Sequence, residues 1–129
     1  MGTPGATKVS ELEFHPSGKP GVDARVDNVA KAILDDVALR MRSDPDLRAV
    51  IVGMATAGES ARTAAQRAVN TKHYLAHDAG IDPQRIEART GGRSAMSAEI
   101  WMVPAGAPLD LKTTKPVDER RIRGASRAR

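Results

Sequence analysis

The chain has 129 residues, of which 28% are charged, 40% hydrophobic and 2% aromatic, with no cysteine and a formal net charge of +4. That length fits one domain with a single core and is too short for two. The lack of cysteine excludes a disulfide framework, a thiolate zinc site and a cysteine nucleophile, and three aromatics (Phe14, Tyr74, Trp101) are too few for a base-stacking surface.

The charge is unevenly placed. Residues 111–129 carry seven basic side chains against Asp118 and Glu119, a net +5, whereas residues 1–110 carry thirteen basic against fourteen acidic, a net −1. The basicity belongs to the tail rather than to the folding part. No apolar run approaches the roughly 20 residues of a membrane span.

Met1–Lys8 is small, polar and broken by Pro4 and Gly5, so residues 1–8 are expected to be disordered, and they contain no apolar core of a signal peptide. Val9–Phe14 reads as a short strand, with Leu12 and Phe14 on one face and Glu11 and Glu13 on the other. His15–Gly21, with two prolines and two glycines, breaks it. From Val22 to about Arg42, Val26, Val29, Ala30, Ile33, Leu34, Val37 and Met41 recur at helical steps. Pro45 ends this helix, because proline disfavours helical geometry in the residue before it.

Leu47–Ala55 is almost continuously apolar and rich in β-branched residues, the pattern of a central strand. Ser60 is placed to cap a second helix running to about Ala76, whose alanines suit close packing on a sheet. Gly80 fits the left-handed position after it. A strand around Arg85–Arg89 is expected to break at Thr90-Gly91-Gly92, and Ala98–Val103 forms the last strand. The predicted fold is α+β: a β-α-β-α-β-β two-layer sandwich, with a mixed four-stranded sheet carrying two main helices. Its domain spans residues 9–104, and residues 105–129 form a basic tail expected to be disordered.

The stretch Gly53–Ile86 also carries a composite motif. Arg67-Ala68 is followed at fixed spacing by Tyr74-Leu75, then Gly80-Ile81 and Arg85-Ile86. With the order of the predicted elements, this resembles the OmpA-like domain, the fold of the C-terminal part of outer membrane protein A and of the peptidoglycan-associated lipoproteins. The resemblance covers roughly Leu12 to Val103. It implies a non-enzymatic domain of the cell envelope, periplasmic or associated with the outer membrane, that binds the diaminopimelate of the peptidoglycan stem peptide without a cofactor. It places that ligand at Arg67 and the loop residues Thr56, Ala57, Glu59 and Ser60. An arginine fork suits a carboxylate, and a helix N-terminus adds partial positive charge.

The chain departs from the family motif at the loop. Thr56 stands where the family has its aspartate, Ser60 where it has asparagine, and Thr63-Ala64 where it has Leu-Ser. Thr56 can hydrogen-bond an ammonium but cannot neutralise it, and Glu59 is the one nearby carboxylate able to stand in. The competing expectation is a diverged OmpA-like module that has lost peptidoglycan binding and serves a larger envelope protein as a structural or protein-interaction domain. For Arg67 itself, the alternative role is a solvated helix arginine paired with a neighbour such as Glu59.

Other signals are weaker. His73 and His77 have a spacing that can serve one metal, but the usual Glu after the first His is missing, so exposed helix histidines are expected. Gly91-Gly92-Arg93-Ser94 lacks the ending of a phosphate loop. No serine lies in a Gly-x-Ser-x-Gly frame, and no catalytic constellation stands out. The tail 111–129 suits a weak, salt-sensitive contact with an anionic surface, with no sequence-specific recognition of nucleic acid.

Overall fold

The computed structural model describes residues 6–14, 26–93 (without the side chain of Arg93), 95–107 and 114–122. Strand β1 (Thr7–Glu13) is followed by α1 (Asn28–Ser43), β2 (Arg48–Ala55) and α2 (Ala61–His73). Tyr74–Asp78 prolongs α2 as a wider π turn, and then come β3 (Ile86–Arg93), β4 (Ser97–Val103) and a two-residue β5 (Lys115–Pro116). The architecture is α+β, with two helices packed on one mixed sheet. Its order is β1-β4-β2-β3-β5, with β2 and β3 parallel and the other pairs antiparallel.

Local chemistry sets the helix ends. Asp27 has extended backbone angles and accepts a hydrogen bond from the Ala30 N–H at 2.9 Å, so α1 starts at Asn28 and not at the predicted Val22. Residues 15–25, which include the start predicted for that helix, lie outside the described residues. Ser60 caps α2 as expected, accepting from the Thr63 N–H at 3.3 Å. Gly80 follows the π turn at φ 79°, the left-handed position that glycine adopts without cost.

The sheet face beneath the helices carries Leu12, Ala49, Ile51, Ala88, Ala98 and Ile100, packed against Ala30, Leu34, Val37 and Met41 of α1 and Ala68 and Val69 of α2. A second small cluster, Val50, Val52, Val103 and Ala107 with Met54 and Trp101, covers the opposite face. Arg85, the arginine of the Arg-Ile step, donates to the carbonyls of Met41, Asp44 and Leu47, which fastens the end of α1 to the start of β2. Tyr74 donates its hydroxyl to Asp35 on α1 at 2.7 Å, and that bond with burial pushes its phenol up to about 12.

Four expectations are corrected. The sheet has five strands rather than four. β3 does not break at Thr90-Gly91-Gly92: parallel pairing with β2 carries it to Arg93, opposite Ala55, with one irregularity between Gly53 and Ala55. The tail is not disordered throughout, because residues 114–122 form a strap along β3. Arg89 opposes Pro116, Thr90 opposes Lys115, and the Val117 N–H donates to the Ala88 carbonyl at 3.1 Å. Val117 and Ile122 pack against the core, and Lys72 meets Glu119 at 3.0 Å. At the other end, Thr7 and Lys8 belong to β1 instead of a disordered leader.

Candidate functional site: a buried arginine and the loop before the second helix

The loop 56–60 joins the end of β2 to α2, and α2 lies very close to the sheet here. A Cβ built on Gly53 would fall 2.0 Å from the Ala64 carbonyl oxygen and 3.0 Å from the Ala68 nitrogen. Only glycine lets strand and helix backbones approach so closely. Alanines at positions 64, 65 and 68 complete the contact, and Arg67 projects from the same buried side of the helix.

Arg67 is fully buried, with 0% of its surface exposed. Its guanidinium grips Glu59 with both arms, Nη1 to Oε1 at 2.8 Å and Nη2 to Oε2 at 2.5 Å, and Nη1 also donates to the Met54 carbonyl at 2.8 Å. The Phe14 ring lies 5.3 Å from the guanidinium carbon, a cation–π distance. The expectation of a solvated helix arginine is therefore corrected in its exposure, while the pairing with Glu59 is present. A charged head without such partners would not tolerate this position.

Glu59 is satisfied in turn. Its Oε1 accepts from the Thr56 N–H at 2.9 Å and from the Thr56 hydroxyl at 3.3 Å, and the Glu59 N–H donates to the Thr56 carbonyl at 3.0 Å. The hydrogen bonds from Arg67, with those from Thr56, hold its carboxyl down to about 2 against desolvation, which acts the other way. Of the five residues singled out from the sequence, Thr56, Glu59 and Arg67 form one hydrogen-bonded unit. Ser60 is exposed and spends its hydroxyl on the helix cap, and Ala57 lies exposed at the tip of the turn.

Chemically, the arrangement is a carboxylate held in an arginine fork at the start of a helix, with the carboxylate supplied by the chain. The tight turn between Thr56 and Glu59 brings that carboxylate back beneath the strand end. Its signal in the sequence is the spacing of Glu59 and Arg67, eight residues apart across a helix start.

The two histidines do not converge. His73 and His77 stack ring on ring, centroids 4.9 Å apart and planes at 11°. Stacked rings direct their in-plane lone pairs side by side rather than toward a shared point, and among the described residues no three His, Asp or Glu side chains are grouped to hold a metal ion. No helix of the described residues is long and apolar enough to cross a membrane.

No family model matches the chain, and no curated protein matches its sequence.

Proposed function

We propose that the chain is a non-enzymatic, OmpA-like module of the cell envelope that does not hold the peptidoglycan stem peptide and serves instead as a structural or protein-interaction domain. One observation carries this reading. The arginine to which the resemblance assigns the ligand carboxylate is wholly buried, and its fork is occupied on both arms by Glu59. A ligand carboxylate would have to displace an internal one that is already positioned, at a large disadvantage in free energy. Thr56, where the resemblance expects an aspartate, donates to that same Glu59 and offers no charge to a ligand ammonium. The periplasm remains the compartment that the resemblance implies.

Sedimentation with purified peptidoglycan tests the reading. The wild-type chain stays in the supernatant at physiological salt. Pelleting that is competed by free diaminopimelate and lost in Thr56→Val would overturn it. Pelleting lost on exchanging Arg123, Arg127 and Arg129 for glutamate, and indifferent to diaminopimelate, is tail electrostatics and leaves the proposal standing.

A further inference from the structure

The strap and α2 do not close completely on one another. Between them lies a cavity of about 260 Å³, walled by Val69, Lys72, His73 and Ala76 on one side and by Glu119 and Ile122 on the other. Small-molecule pockets run to roughly 300–1,000 Å³, so this one has the size for a side chain or two. Its charged wall is Lys72, whose side chain is only 16% exposed. Among the described residues its ion-pair partner is Glu119 of the strap, at 3.0 Å. An ammonium so far withdrawn from water needs a carboxylate beside it.

The strap holds this position with few contacts. It pairs with two of the eight residues of β3, and the Val117 N–H adds a bond to the Ala88 carbonyl. Val117 and Ile122 are half-buried, and the four residues between them are exposed. A segment with so little buried surface opens at low cost. In chain order it lays an extended run on a sheet edge, an apolar side chain against the core, a carboxylate on Lys72 and a second apolar side chain at the cavity. Peptides that add to a sheet edge are recognised in the same way, by backbone pairing and by side-chain pockets.

We propose that the β3 edge and this cavity form a docking site for an extended acidic segment of a partner protein, which residues 114–122 occupy as an intramolecular placeholder. The partner segment presents an apolar residue, a carboxylate two positions later for Lys72, and a bulky apolar residue three positions beyond that for the cavity. This is the spacing of Val117, Glu119 and Ile122. Being tethered, the strap competes at high effective concentration, so the site yields only to a segment that fits better. The inference stands on the strap and does not depend on the role of Arg67.

Fluorescence anisotropy on the full chain, with a labelled peptide of residues 114–122, tests it. Val117→Ser with Ile122→Ser, which loosens the strap, should bind the peptide about tenfold more tightly than the wild type does. In that variant, Lys72→Glu should lose the native peptide and accept one carrying Glu119→Lys. A peptide carrying Ile122→Phe should bind about threefold more tightly than the native peptide, because the ring buries more apolar surface in the cavity.

A reversible lock provides a second route. The chain has no cysteine, and Arg89 opposes Pro116, which has no N–H to donate. Non-hydrogen-bonded antiparallel pairs have Cα atoms about 4.5 Å apart, within reach of a disulfide. Arg89→Cys with Pro116→Cys should bind no peptide when oxidised and regain binding on reduction. Circular dichroism should show every variant folded. No binding to the loosened variant, equal binding by the oxidised and reduced forms, or indifference to Lys72→Glu would overturn the proposal. So would an Ile122→Phe peptide that binds no better than the native one. Saturable binding of octanoate without binding of peptide would assign the cavity to a small apolar carboxylate and count against it.

Discussion

Arg67 occupies a position where charged side chains are rarely found, and its retention there depends on Glu59. Removing one partner of a buried pair leaves an uncompensated charge, so Glu59→Ala should cost about 3 kcal/mol of stability at neutral pH, measured by urea unfolding. The acid limb provides an independent reading. The carboxyl of Glu59 is lowered from an ordinary 4.5 to about 2, so its stabilisation is complete above 4.5 and fades as pH falls toward 2. The wild type should lose about 2 kcal/mol across that window through this group, allowing for the solvent that reaches it, and Glu59→Ala should lack this component. An unchanged acid limb in Glu59→Ala would show that the pair contributes no pH dependence. The sequence made Arg67 and Glu59 legible as neighbours but not as buried. Burial depends on how closely α2 approaches β2, and that is a tertiary distance.

At the scale of elements, that approach is set by Gly53. The clash of a Cβ there is with backbone rather than with a movable side chain, so strand and helix must separate. Gly53→Ala should therefore destabilise the fold by about 3 kcal/mol, with unfolding by urea as the measure. Gly91 faces a softer neighbour, since its Cβ would meet the Met54 side chain, with Sδ at 2.7 Å. Two glycines thus have different meanings that composition alone does not separate. Gly91-Gly92 reads locally as a break, yet the parallel ladder with β2 carries β3 through it. The helices were legible from periodicity and from Ser60, a local capping residue. The true start of α1 was displaced because the apolar stripe begins before Asp27, the residue that caps it.

At the scale of the whole molecule, the charge of +4 is sharpened further. The described strap neutralises much of its own basicity, and Arg123, Arg127 and Arg129 follow it without acidic partners in sequence. The strap escaped the sequence reading because it has no periodicity: two residues pair with β3, and Val117 and Ile122 are its only apolar anchors. Those anchors make it testable. Replacing both Val117 and Ile122 by serine should release it, raising the rate of tryptic cleavage after Arg120 and Arg121 by about tenfold, as expected for loss of local protection. Equal rates in wild type and variant would mean that the strap is not held by these side chains.

The pairing of β1 with β4 has a consequence for the time course of folding. Thr7 opposes Met102 and Glu13 opposes Ser97, so β1 needs a partner that lies far along the chain, beyond α1, β2, α2 and β3. The β2-α2-β3 unit, by contrast, closes through neighbours in sequence. Contacts across so long a separation form late, since the loop must be closed before they yield any stabilisation. β1 therefore waits in water until β4 has been made, and Lys8, Glu11 and Glu13 are suited to keep it from pairing with other chains while it waits.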